Sequence, residues 1–100
     1  MTVYSLRSQA PDLAPTACFS LTADSDPATL PRVLEVFAKL GRLPSQCHAS
    51  TFGAECQEMH IDLQFTNMDQ SEGEHMARAL RGCLLVNSVL TSQKEQRLIA

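Results

Sequence analysis

The spacing of apolar residues changes partway along one segment, and this change constrains the fold more than any other feature of the chain. Residues 17–23 alternate apolar and polar side chains, which is the period of a strand with one buried face. Residues 30–40 instead place apolar side chains three and four positions apart, as on a helix packed on one side: Leu30, Val33, Leu34, Phe37 and Leu40. The segment therefore predicts a strand, a short acidic turn and an amphipathic helix.

The ends of this helix have their own signals. Pro31 has no backbone N–H and disfavours helical geometry at the residue before it, so we expect the regular helix to begin at Leu30 or Pro31. Gly41 is a suitable C-terminal stop. Glu35 and Lys39 are spaced as a favourable pair on the exposed face.

Two further strands follow the first helix. Residues 45–52 form a short polar strand, with Gly53 and Ala54 as its turn. Residues 56–65 give the clearest alternation in the chain, with apolar side chains on one face and Glu58, His60, Asp62 and Gln64 on the other. The sequence thus predicts a hairpin whose second strand has one buried and one wet face.

A second helix and a last strand complete the pattern. Asp69 and Glu72 resemble a capping box, and the helix that follows carries Met76, Leu80 and Cys83 on one stripe. Gly82 ends this helix, and residues 84–91 read as the last strand.

The predicted order is strand, helix, strand, strand, helix, strand. One hundred residues suffice for one compact domain. We expect an α+β, ferredoxin-like βαββαβ fold, with a four-stranded antiparallel sheet and both helices on one face. The domain covers residues 17–92, between a lead-in at 1–16 that is partly disordered or a short edge strand, and a polar tail at 93–100.

The strand–turn–helix segment is similar to the signature of ACT domains, which sense amino acids in many metabolic enzymes. The matching positions are Asp24, Pro27, Leu30, Arg32 and Val33, while Ala28 stands where the family usually has glycine. Residues 32–41 also resemble the small regulatory subunits of acetolactate synthase. Those subunits often have asparagine where this chain has Ser25 and Leu43.

This resemblance implies a homodimer that regulates an amino-acid biosynthetic enzyme, and an amino-acid effector at the turn. Helix amides suit a carboxylate, and nearby aspartates suit an ammonium group. The implied ligand-binding residues are Asp24, Ser25, Asp26, Ala28, Thr29 and Leu30 from one subunit, with Gln46, Cys47 and His48 from its partner. Two alternatives stay open: Asp26 simply closes the turn and caps the helix, or the domain dimerises without a ligand.

Composition excludes other classes of function. A net charge of -3 and five aromatic residues without tryptophan do not suit nucleic-acid binding. No apolar run approaches the roughly 20 residues of a membrane span, and no secretory signal is evident, so we expect a cytoplasmic protein. The four cysteines lack a Cys-x-x-Cys pair, which favours free thiols.

Two alternatives with their own chemistry are a metal site in the predicted hairpin and an enzyme with the same fold. A two-residue turn at 53–54 places Cys47 opposite His60, and Cys56 or Glu58 would extend this pair to a metal site, although chance juxtaposition is the favoured interpretation. A small dimeric enzyme on the same scaffold is the other alternative. No nucleophile–base pattern and no glycine-rich phosphate loop is visible, so we expect neither catalysis nor a cofactor.

Overall fold

The computed structural model describes residues 13–97, with side chains from 14 to 95. The elements are β1 (Leu13–Asp24), α1 (Thr29–Ala38), β2 (Gln46–Phe52), β3 (Glu58–Thr66), α2 (Gln70–Arg81) and β4 (Val86–Arg97). The predicted order of elements is confirmed. The predictions made for residues 1–12 and 98–100 lie outside the described residues.

The four strands form one antiparallel sheet in the order β2-β3-β1-β4. Residues of both helices share a single buried cluster with the alternating apolar residues of the sheet, so the predicted ferredoxin-like α+β fold is confirmed. Among the described residues, no helix is long and apolar enough to cross a membrane.

Three phenylalanines form the centre of the core. Phe37 of α1 stacks on Phe65 of β3 with ring centroids 4.2 Å apart. Phe19 of β1 meets both rings edge-on, at 5.5 and 5.8 Å. These rings join the first helix to the two central strands, because each comes from a different element and all three are fully or almost fully buried.

The first and last strands, β1 and β4, extend further toward the two ends of the chain than predicted. β1 begins at Leu13 rather than at residue 17, and β4 continues to Arg97 rather than ending at residue 91. Leu13 pairs with Arg97 and Thr16 with Lys94. The polar composition of residues 93–97 concealed this strand, because ladder hydrogen bonds join backbone groups and do not require an apolar side chain.

The helix ends follow their predicted signals with two corrections. α1 begins at Thr29, so Pro31 lies in its first turn, where the missing N–H costs no helical hydrogen bond. At the other end Gly41 has a positive φ of 71°, and the Arg42 N–H donates to the Phe37 carbonyl at 2.9 Å, as in a Schellman motif. Leu40 therefore lies beyond the helix and is 55% exposed, not part of the buried stripe as predicted.

The second helix has the predicted cap. The Asp69 carboxylate accepts the Glu72 N–H at 2.9 Å. Met76 and Leu80 are buried as predicted, whereas Cys83 follows the helix and is half-buried.

The predicted two-residue hairpin turn is wrong. The loop between β2 and β3 spans residues 53–57, so that Phe52 pairs with Glu58. Cys47 therefore lies opposite Leu63, and His60 lies opposite Ser50. The register differs from the prediction by three residues, an odd number, which moves Cys47 to the opposite face from His60.

Candidate functional site

The turn between β1 and α1 is held by two neighbouring parts of the chain. The Asp24 N–H donates to the Leu85 carbonyl at 2.9 Å, just before β4. The Ser25 N–H donates to the Gln57 carbonyl at 3.2 Å, in the loop between β2 and β3. The length of that loop thus contributes directly to the position of the acidic turn.

Most backbone amides at the start of α1 already have an acceptor. The Ala28 N–H donates to the Asp26 carboxylate at 2.8 Å, and the Thr29 N–H donates to the Asp26 carbonyl at 2.9 Å. Pro31 has no N–H, so within residues 13–97 the Leu30 amide is the one amide of the first helical turn without an acceptor. Asp26 closes an Asx turn, as the structural alternative expected, but the predicted helix cap is wrong, because the N-cap of α1 is Ala28 and no side chain caps it.

Two further polar side chains of the turn, Thr29 and Asp24, also have partners. Thr29 is fully buried, and its hydroxyl donates to the Asp24 carbonyl at 2.6 Å. The Asn87 side-chain amide donates to the Asp24 carboxylate at 3.2 Å. Sequence reasoning missed Asn87, because a polar residue at the start of a strand carries no signal of what it faces. The carboxylates of Asp24 and Asp26 remain at the surface.

The second predicted group lies at the other end of the sheet. Gln46 pairs with Gln64, which pairs in turn with Cys18, six residues before Asp24. This places Gln46 about 20 Å from Asp24 along the strands. Within one chain the structure does not bring the two predicted groups together.

The group at the start of β2 is also divided between two faces. Cys47 lies on the face of β2 that carries the buried residues of the sheet, because its cross-strand partner is Leu63. Gln46 and His48 point to the opposite, open face with Gln64 and Asp62. A single ligand on one face of β2 therefore does not reach all three side chains.

A cluster on the open face of the sheet was not predicted. Ser20 Oγ lies 2.9 Å from His60 Nε2, and Asp62 Oδ1 lies 3.4 Å from the same nitrogen. In a catalytic triad the carboxylate holds the other ring nitrogen, which leaves Nε2 free to act on the hydroxyl. Here the hydroxyl and the carboxylate both contact Nε2, so the cluster is a polar contact between β1 and β3 and not a catalytic triad.

The four cysteines are free thiols. The corrected hairpin register separates Cys47 from His60, so the pairing on which a metal site would have depended does not exist. Across the part of the chain that the structure describes, no three histidine, cysteine or acidic side chains gather closely enough to hold a metal ion.

Solved structures share this arrangement of strands and helices. The crystal structure of the ACT domain from GTP pyrophosphokinase of Chlorobium tepidum matches with a TM-score of 0.63 and 12% identity, over 77% of this chain and 96% of that domain. The chain has the ACT-domain fold. The solution structure of the same domain gives a TM-score of 0.62 at 12% identity, over 77% of this chain and 84% of that one. The resemblance to ACT domains is thereby confirmed at the level of the fold.

A PII-like signalling protein from Thermus thermophilus also matches this ACT fold. Its TM-score is 0.54 at 16% identity, over 89% of this chain and 94% of that one. No family model matches the chain, and no curated protein matches it. The resemblance to acetolactate synthase subunits stays a prediction.

Proposed function

We propose that this chain is a non-catalytic regulatory domain that works by contact between subunits, first of all with a second copy of itself. The ACT fold supports a regulatory role, since one structural neighbour is a domain of a larger enzyme and another is a PII-like signalling protein. A shared fold does not by itself establish a function, so the proposal depends on a feature of this chain's own surface.

The observation that best supports contact between two copies is the unpaired edge of β2 in the described part of the chain. Within the described residues 13–97 this strand pairs with β3 alone, and six of its seven residues are exposed, Ala49 being the half-buried exception. It contains no proline, lysine or acidic residue, which are the usual protections of a free edge. β4, at the other edge, carries Lys94 and Glu95. β2 is therefore the edge suited to antiparallel pairing with β2 of a second copy.

Pairing of two β2 edges also determines how far the partner's β2 residues lie from the predicted effector site at the β1–α1 turn. A two-fold pairing centred on Ala49 sets the partner's Gln46 beside Phe52, level with Asp24. Three strand spacings, about 14 Å, would still separate the partner's Gln46 from Asp24. A small amino acid does not span this distance. Edge pairing thus supports a dimerising role more directly than a pocket shared by the two subunits.

Amino-acid binding at the β1–α1 turn is the second candidate. Asp24 and Asp26 present two surface carboxylates for an ammonium group, and the Leu30 amide is available to a carboxylate. Ser25, Ala28 and buried Thr29 complete the proposed residues of one subunit. The hydrogen bonds that Asp26 makes to Ala28 and Thr29 weigh against a strong carboxylate site. In this second candidate function, the domain would regulate a catalytic partner, such as the amino-acid biosynthetic enzyme acetolactate synthase.

Oligomeric state tests the first proposal. We expect a dimer by light scattering after gel filtration, and a monomer when His48 and Ser50 are both replaced by lysine, since charges on an edge strand oppose pairing. Ser92→Lys, on the open face of β4, is the matched control and should remain dimeric. A monomeric parent protein at high concentration would contradict the proposal.

A thermal-shift screen against the twenty amino acids tests the second candidate. A ligand that binds only the folded state raises the melting temperature. Asp24→Asn should abolish the shift, and Asp62→Asn, an exposed acid on the open sheet face, should keep it. If no amino acid stabilises the protein, the dimerising role alone remains.

A further inference from the structure

A groove runs between the two helices, away from the edge of β2; it begins at Ala28 and Thr29 and does not include Asp24 or Asp26. Along α1 it is lined from Ala28 to Leu40, and on the other side by residues of α2 from His75 and by residues 82–86. The α1 side runs over 13 positions and includes the whole helix, which is about 15 Å long. The groove is therefore an elongated depression as long as the helices themselves.

The groove has the size and lining of a small-molecule site. Its volume is about 650 Å³, within the range of roughly 300–1,000 Å³ that is typical of ligand pockets. Most of the lining is apolar, with Val33 and Met76 buried at its floor. Leu40 is 55% exposed and Leu84 is 94% exposed, so apolar surface at the groove faces water within this chain. Water would be displaced from it by an apolar chain.

Two cations lie along the α1 side of the groove. Arg32 and Lys39 both line it, are both exposed, and form no ion pair with any residue in the described part of the chain. The favourable pair predicted between Glu35 and Lys39 is not formed. Glu35 is the one carboxylate on the lining, so cations outnumber acids there.

We propose that this groove binds a free medium-chain alkyl carboxylate. The apolar chain would lie along the floor between the helices, and the carboxylate would reach Arg32 or Lys39 at the α1 rim. This site goes beyond the proposed subunit contact, because it uses neither β2 nor the carboxylates of the acidic turn.

Calorimetric titration with hexanoate, octanoate and decanoate, below their micellar concentrations, tests the apolar part. Affinity should rise with chain length, by up to about fourfold for each added methylene. Ala79 is exposed and lines the groove, so Ala79→Phe should fill it and abolish binding. Ala38→Phe is the matched control, because Ala38 is an exposed residue of α1 outside the groove.

The charge requirement is tested separately. Decanol should bind more weakly than decanoate. Arg32→Gln or Lys39→Gln should weaken decanoate binding by about two- to fivefold, as expected for an exposed ion pair. The residue with the larger effect identifies the end that holds the carboxylate. Arg78→Gln, on α2 but outside the groove, should have no effect.

Cys83 supplies an independent readout, because this free thiol lines the groove. Decanoate should slow alkylation of Cys83, measured by mass spectrometry, and leave the rate at exposed Cys56 unchanged. Equal protection of both cysteines would contradict binding in the groove.

Three further results would overturn the proposal. They are the absence of decanoate binding to the parent protein, decanoate binding that survives Ala79→Phe, and equal affinity for decanol and decanoate. Loss of self-association in Ala79→Phe would show instead that a second copy covers the groove, which also contradicts the proposal.

Discussion

The hydroxyl of Thr29 donates a 2.6 Å hydrogen bond to the backbone carbonyl of Asp24, across the acidic turn. The bond joins the last residue of β1 to the first residue of α1, and Thr29 is 0% exposed. This part-buried bond helps to fix the direction in which the helix leaves the strand. It also explains why Thr29 belongs to the scaffold of the turn.

Replacing Thr29 with valine keeps the shape of the side chain and removes its hydroxyl. We expect a loss of about 1–1.5 kcal/mol in the free energy of unfolding, because the hydrogen bond from fully buried Thr29 to the Asp24 carbonyl is lost. Chemical denaturation measures this loss. Thr22→Val is the matched control, since the Thr22 hydroxyl pairs with Ser88 at the exposed face and should cost less than about 1 kcal/mol. Equal losses in both variants would contradict the role of Thr29.

Phe37 should carry a large share of the core's stability. Truncation to alanine removes the ring that stacks on Phe65 and leaves a cavity between α1 and the sheet. We expect a loss of about 3–5 kcal/mol by chemical denaturation. Leu43→Ala serves as control, since Leu43 is 87% exposed and should change stability by less than about 0.5 kcal/mol. A loss of stability at Phe37→Ala as small as that of the control would contradict the packing of α1 against Phe65 of the sheet.

Gly41 should resist substitution for reasons of backbone conformation alone. Its φ is 71°, and a Cβ built there meets no atom within 4 Å. Gly41→Ala is therefore expected to cost about 1 kcal/mol through strain in the Schellman turn. Gly82→Ala, at a φ of -83° after α2, should be neutral or stabilising by up to about 1 kcal/mol. The melting temperature should fall for Gly41→Ala and stay unchanged or rise for Gly82→Ala; a parallel fall would contradict the conformational argument.

Local patterns predicted much of the fold. The alternation in β1 and β3 and the helical spacing in α1 depend only on which side chains avoid water, so the order of elements and the ferredoxin-like fold followed from them. Asp69 could be recognised as a cap because a cap acts within one turn of its own helix. The ends of β1 and β4 could not be recognised, because their last residues pair through backbone groups.

The site depended on information that no local pattern contains. Residues 54–57 have no distinctive turn sequence, and Cys56 adopts a positive φ of 53°, which is uncommon outside glycine. The five-residue loop that results shifted Cys47 away from His60 and set Gln57 against Ser25. The hydrogen bonds of Asp24 to Asn87 and Leu85 join residues about sixty positions apart.

The sequence by itself determined the alternating burial of β1 and β3 and most of the buried stripe of each helix, and hence the βαββαβ order. Only the tertiary structure decided the hairpin register, the closing of the acidic turn by the chain's own groups, and the groove between the helices. The physical reason is range: burial periodicity repeats within a few residues, whereas register and concave surfaces arise when distant segments pack against one another.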